Sequence, residues 1–454
     1  MPTECSADLF GFAPAEGRAV VAAFDGGRVT SDAGALLLSR TDRAIGLVGR
    51  FAGCFRDARS ADFIEHPLSN LVMQRVFGIA LGYEDLLDHD TLRHDPVLAA
   101  CAAKLTARRQ GCAALAGKST LNRLEHAPAG QPGRYHRIGH DGAAIERLLV
   151  DLFLDAHAAA PAEIVLDFDA TDDPLHGHQE GRFFHGYYDS YCYLPLYVFC
   201  GRHLLAAKLR PANIDASAGT VDELARIVAQ IRNRWPAVRI ILRADSGFAR
   251  DAIMAWCEAN RVDFLLGLAR NTRLVARIAG PLAEVAAESL ETGKPARRFV
   301  EFPYATHDSW TRERRVIAKA EQTGDKSNPR FVVTTLGGDA RQLYEEVYCA
   351  RGEMENRIKE CQLDLFADRT SAATMRANQL RLWFAAMAYV LMDSLRRIGL
   401  AKTDLARATC GTIRLRLLKI GALVRISVRR VKVAMSSAWP FQNQYRDAYA
   451  ALAR

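Results

Sequence analysis

Three acidic residues lie far apart in this chain, each where an α/β protein could use it for chemistry. Asp169 ends the run Glu163-Ile-Val-Leu-Asp-Phe-Asp, and Asp245 ends Val238-Arg-Ile-Ile-Leu-Arg-Ala-Asp. Glu355 sits in a polar stripe on a long helical pattern. Carboxylates at the ends of adjacent strands, joined by a third from a packed helix, form the oxygen donor set that magnesium prefers. Two such ions about 3.5–4 Å apart activate an attacking oxygen and stabilise the leaving one in phosphoryl transfer. The chain has 60 Lys and Arg against 52 Asp and Glu, a net charge of +8. That bias favours a polyanionic partner, such as a nucleic-acid backbone, without identifying it.

The elements that must position these groups follow from periodicity. Residues 1–160 read as mostly helical, with Ser31-Asp32 as an N-cap signal and a Pro/Gly break at 127–134. From Glu163 the pattern turns to strands. Glu163–Asp169, Leu194–Cys200, His203–Leu209, Val238–Asp245 and Asp263–Gly267 are strand-like, with helices at 221–235 and 249–260. This order predicts a mixed sheet flanked by helices. Residues 272–335 interrupt it with strand-like runs at 299–302, 315–320 and 330–336, expected to form a separate small sheet. A capping box at Asp339–Gln342 opens a helix to about 364. In the tail, Ile413–Lys419 and Val424–Val433 alternate basic and apolar residues, which predicts a hairpin turning at Gly421. Residues 401–454 carry 11 Lys or Arg and 2 acids, so Arg414, Arg416, Arg429 and Arg430 are candidate DNA-phosphate contacts.

Each acid also suits an ordinary role. Asp167 and Asp169 share a face of their strand and could cap the turn that follows, and Asp245 could cap the helix near 249. Tyr348, Arg351, Glu355, Lys359 and Gln362 fall at i, i+3, i+7, i+11 and i+14, and Arg351–Glu355 could be a plain i,i+4 ion pair. The ten cysteines form no Cys-x-x-Cys pair, which argues against a zinc site and for a reducing cytoplasm. The N-terminal residues show no secretory pattern, and the most apolar helical stretch, 382–392, is too short to span a bilayer.

Three segments together resemble bacterial insertion-sequence transposases of the DDE type, in the group with a β-sheet insertion in the catalytic core. They are Asp167-Phe-Asp169-Ala-Thr-Asp-Asp-Pro-Leu-His176-Gly-His178-Gln-Glu-Gly, Arg243-Ala-Asp245-Ser-Gly-Phe, and Tyr348-x2-Arg351-x3-Glu355. The resemblance implies an α/β, ribonuclease-H-like core with an inserted β-rich subdomain, a helical N-terminal domain and a basic C-terminal region. The corresponding domains are 1–160, 161–271 with 338–400 as the two parts of the core, 272–337, and 401–454. It assigns Asp169, Asp245 and Glu355 as catalytic and metal-binding residues for two Mg2+ ions, with Mn2+ as a substitute. Asp169 is preferred to Asp167 because the family's acid precedes a Thr-containing turn. Tyr348, Arg351 and Lys359 would position phosphates. The family's signature lysine is replaced by Gln362, with Lys359 one turn earlier as the substitute. Trp310 would stack on a displaced base, and His176 and His178 are weaker candidates.

The implied activity is DNA cleavage and strand transfer at the inverted-repeat ends of an insertion sequence. Its partners would be double-stranded DNA and a second copy of the chain in a synaptic complex. The expected location is the cytoplasm, with no membrane. Two alternatives are a metal-dependent nuclease on the same fold that does not join strands, and a non-catalytic DNA-binding protein derived from a transposase.

Overall fold

The computed structural model describes residues 10–127 and 133–453. The N-terminal secretory reading, and most of the Pro/Gly break at 127–134, concern residues outside that range. The chain divides into two compact units. One is Asp141–Ala386; the other joins the described residues up to His140 with those from Met387 onward. The mixed α/β character expected from the sequence is present, with one large mixed sheet and many helices.

The 141–386 unit is organised by strand alternation. In β1 (Glu163–Ala170), Ile164, Leu166 and Phe168 are buried on one face, which leaves Val165, Asp167 and Asp169 on the other. β1 pairs antiparallel with β2 (Leu196–Cys200), which turns through Gly201 into β3 (His203–Lys208). β4 (Arg239–Ala244) lies parallel to β1, with Arg243 beside Asp167, and β5 (Asp263–Leu268) lies parallel to β4. Parallel neighbours need crossovers, here supplied by α2 (Thr220–Arg234) and α3 (Asp251–Ala259). α2 carries Asp222 and Glu223 in its first turn and Arg232 and Arg234 in its last, which complements the helix dipole. Its stripe Leu224, Ile227, Val228, Ile231 packs with α1 (Gly142–Asp155), α3 and the Ile164/Leu166/Phe168 face in one apolar layer.

The region 272–335 differs from its expectation. It begins with helices Thr272–Arg277 and Ala279–Thr292. Its strands β6 (Ala296–Tyr304), β7 (Arg314–Thr323), β8 (Lys326–Ser327) and β9 (Arg330–Thr334) do not form a separate sheet. They extend the main one, in the order β3-β2-β1-β4-β5-β9-β7-β6 with β8 on β7. The reason lies in β5, whose Phe264, Leu265 and Leu266 are all buried. A central strand cannot leave its edge amides and carbonyls unpaired, and β9 satisfies them antiparallel.

Part of the second face of this sheet is covered by the start of the stretch 340–364. Leu343 and Tyr344, with Val347 and Tyr348, pack on Ile241, Leu265, Ile317 and Val332. This stretch is not one regular α-helix. It runs as α-turn Ala340–Gln342, π-turn Leu343–Tyr348, a 3-10 turn at 349–351, α4 (Gly352–Lys359), and a second π-turn Glu360–Asp364. Such π-turns are frequent at functional sites.

In the other unit, helices such as Ala35–Ile45 and Leu68–Ala80 accompany a small sheet in which Val29–Thr30 pairs with Ala422–Leu423. Asp32 is not a helix cap. It is buried, accepts from Tyr83 Oη at 2.6 Å and pairs with Lys419 Nζ at 2.7 Å. The tail also differs from its expectation. Residues 410–418 are helical, and the hairpin is Ala422–Ile426 with Val431–Met435, turning at 427–430. Alternation at 413–418 misled because Ile413, Leu417 and Leu418, which are buried, also fit a helical stripe.

Candidate active site

Asp169 stands at the C-terminal end of β1, and Asp245 immediately follows β4 on the neighbouring strand. Both lie on the face opposite the large apolar layer. Asp245 caps the turn Ser246–Phe248, its Oδ1 accepting from the Gly247 amide at 2.8 Å. The Arg351 guanidinium binds the Glu355 carboxylate at 2.7 Å and reaches Asp169 Oδ2 at 3.6 Å. The π-turn, the 3-10 turn and α4 thus bring Arg351 and Glu355 to Asp169. Burial pushes the Asp169 carboxyl up to about 7, and the charges of Asp245 and Glu355 add to that push; Arg351 and the Ala170 amide, which donates to Oδ1 at 3.1 Å, oppose it. This cluster of carboxylates is short of positive charge.

Among the described residues no three His, Cys, Asp or Glu side chains are gathered closely enough to hold a metal ion. A guanidinium bridges two of the carboxylates instead. The donor chemistry of three carboxylates suits a hard cation. Asp169, Asp245 and Glu355 are the residues that would hold it.

Asp167 has a different role. It is buried and takes a two-pronged pair from Arg243, at 2.5 and 2.8 Å, while the third guanidinium nitrogen donates to the carbonyl of Val347. Arg243 therefore ties β1 and β4 to the π-turn that carries Tyr348. It was visible in the sequence two residues before Asp245, but its partner depends on strand register.

Gly267, at the end of β5, was also missed. A Cβ there would lie 2.5 Å from Tyr348 Oη and 2.8 Å from the Ser246 amide. Glycine inside a buried strand signals such a close approach. Gly267→Ala should displace Tyr348 and the turn after Asp245. DNA cleavage should fall by about 10- to 100-fold, the scale of a 1 Å misplacement, and a gel cleavage assay reads it. Unchanged cleavage would show that this contact does not position the site.

Gln362 stands where the resemblance leads one to expect a lysine. Its amide donates to Asp173 Oδ1 at 3.0 Å and to the Asp172 carbonyl at 3.1 Å. Asp173 is fully buried, and burial pushes its carboxyl up to about 8. A neutral amide partner suits a protonated acid. Because the folded pKa is raised, this carboxyl contributes stability below its unfolded value near 4, and the contribution is lost as pH rises towards 8. Asp173→Asn should flatten that decline, with Tm at pH 8 gaining on the order of 5 °C relative to wild type. Scanning calorimetry between pH 5 and pH 8 checks it; parallel curves would rule the coupling out. Lys359, the expected substitute for the lysine, is exposed on α4.

The remaining predicted residues scatter. Trp310 packs on the apolar layer behind the sheet, edge-on to Tyr304 at 5.8 Å with Arg314 over its ring. It is half-buried on the layer that faces away from Asp169 along β1. Arg414 caps the helix Leu68–Ala80, donating to the Ala80 carbonyl at 2.9 Å. Arg416 lies over the Phe441 ring. Arg429 and Arg430 are exposed in the turn of the tail hairpin. His176 and His178 are also exposed, the latter 3.3 Å from Arg182.

These features sit on a chain that belongs to the transposase DDE domain group 1 family, whose model matches residues 12–454. The expectation of a DDE transposase drawn from the three segments is thereby borne out. No curated protein sequence matches the chain. Among solved structures, a piggyBac transposase synaptic complex with hairpin DNA is similar at 10% identity and a TM-score of 0.42, covering 86% of this chain and 79% of that one. No helix among the described residues is long and apolar enough to cross a membrane.

Proposed function

We propose that this transposase cleaves DNA at the inverted-repeat ends of its element and joins the freed 3′ ends to a target. The observation that carries the reading is the meeting of Asp169 and Glu355 on Arg351, with Asp245 at the neighbouring strand end. The order β3-β2-β1-β4-β5, antiparallel then parallel, supports a ribonuclease-H-like core.

Two divalent ions, Mg2+ or Mn2+, would supply activation of the attacking oxygen and stabilisation of the leaving one. The chain's own groups do the rest. Asp169, Asp245 and Glu355 provide the acidic cradle. Arg351, once it releases Asp169, has a planar fork suited to a phosphate. Tyr348, held against Gly267 and next to Val347, which accepts from Arg243, lines a cleft with Ser246 and Arg270. In the other unit, the exposed Arg429 and Arg430 would contact the DNA backbone. A second copy of the chain in a synaptic complex rests on the family resemblance.

The deciding experiment supplies purified protein with Mg2+, a duplex ending in the element's inverted repeat, and a supercoiled target. Cleavage followed by joined product is the expected result. Cleavage without joining would favour a nuclease on this fold. Binding with neither step would leave a transposase-derived DNA-binding protein.

A further inference from the structure

Between β1 and β2 the chain leaves the main sheet and builds a small aromatic finger. Phe183–His185 pairs antiparallel with Ser190–Tyr193, and Asp173–Pro174 pairs along Tyr193 and Cys192. The finger's base is held firmly. Tyr193 Oη donates to the Glu180 carbonyl at 2.5 Å, the Glu180 amide donates to the Ala373 carbonyl at 2.9 Å, and Gln179 reaches the Thr370 carbonyl at 3.2 Å. Its tip and outer face are uncovered. Tyr187 is 85% exposed, and Phe183, Phe184 and Tyr191 are exposed as well.

The rings form two connected groups. Phe184 and Tyr191 face each other across the strands, edge to face at 5.5 Å, with Arg182 3.8 Å above the Tyr191 ring. Tyr187 stands perpendicular to Tyr188 at 5.0 Å, and Tyr188 contacts His185 at 4.9 Å. Tyr188 packs inward on the small cluster that includes Ala170, the residue after Asp169. Through Tyr188 the exposed Tyr187 ring is tied to the end of β1, where the carboxylates stand. The negative charges of Asp169 and Asp245 are among the influences that, after burial and Asp172, push the Tyr188 hydroxyl up to about 12.

We propose that this finger is a stacking platform for unpaired nucleotides of the DNA strand beside the carboxylates, with Tyr187 as the principal ring and Arg182 beside Tyr191 serving the adjoining phosphate. The large apolar side chains it exposes are all aromatic. Aromatic rings interleaved with a cation match the π-face and the phosphate of a nucleotide. A duplex hides its base faces, so the platform selects a strand that has left the duplex. The inference rests on the reading of the protein as a DNA-processing enzyme and adds where the strand end is held.

The test uses the full-length protein without divalent ions and two fluorescein-labelled duplexes of the same sequence, one blunt and one with a short unpaired thymidine tail. Wild type should bind the tailed duplex about ten-fold more tightly than the blunt one, the scale of one stacked base. Tyr187→Ala should lose that preference and keep its blunt-duplex affinity and Tm, because an exposed ring contributes little to folding. Tyr187→Trp should restore it. A 2-aminopurine in the tail should be quenched by wild type and by Tyr187→Trp, and not by Tyr187→Ala. Four results would overturn the proposal. The first is equal affinity of wild type for both duplexes, and the second is an equal loss on both in Tyr187→Ala. The third is self-association of wild type that Tyr187→Ala abolishes, which would make the finger a contact between copies. The fourth is binding of neither duplex by wild type, which would remove the DNA reading itself and not the platform alone.

Discussion

Asp169→Asn, Asp245→Asn and Glu355→Gln should each lower DNA cleavage by on the order of a thousand-fold or more, since each removes one acid from a cradle whose parts act as a unit. Duplex binding should stay within a few-fold of wild type. The stability expected of Asp169→Asn is the more telling figure. Its carboxyl is pushed up to about 7, first by burial. The ionised form is therefore a strain on the folded state above that pH, and the amide should leave Tm at pH 8 equal to or above wild type. Asp167→Asn should behave in the opposite way. It breaks a buried two-pronged pair with Arg243, and losing one partner of such a pair costs about 3–5 kcal/mol. A gel assay for cleavage, anisotropy for binding and calorimetry for Tm separate the two acids. If Asp167→Asn were stable and inactive while Asp169→Asn kept its activity, the assignment would have to be exchanged.

The second large effect concerns Arg351. Its guanidinium is the positive charge shared by Asp169 and Glu355 in this arrangement, so it stands where a cation is wanted. Arg351→Ala should leave the cradle with uncompensated charge and lower Tm without divalent ions; for a partly exposed pair the loss is about 1 kcal/mol. Added Mg2+, or Ca2+ as a probe, should then raise Tm more in the variant than in wild type, because binding no longer has to displace the arginine. Cleavage should still fall about 100-fold through loss of the phosphate-positioning fork. Thermal shift against ion concentration reads the first effect and single-turnover cleavage the second. An identical ion-dependent shift in both proteins would show that Arg351 does not compete with metal.

Much of the site was legible in one dimension. Alternation along Glu163–Asp169 placed Asp169 at a strand end, and the apolar run before Asp245 did the same, because strand burial imposes period two wherever one face meets a core. Tyr348, Arg351 and Glu355 were legible as a helical stripe. Gln362 was legible as a departure, but its partner Asp173 was not. The two are 189 positions apart, and periodicity carries no information about which buried acid a helix will meet.

The sequence by itself determined which residues face a core and which acids end strands, since side-chain direction follows from local backbone geometry. Tertiary structure decided which of two neighbouring acids is locked to an arginine across the sheet. Asp167 and Asp169 are equivalent by alternation, and only the register of β1 on β4 sets Arg243 against Asp167. Tertiary structure also decided that the strands after residue 295 extend the main sheet, because only the assembled β5 presents an edge that must be paired. It sent Trp310 behind the sheet and brought the 183–193 finger to the end of β1. Strand register, edge pairing and packing partners are fixed by contacts between residues distant in sequence, and a local pattern holds no record of them.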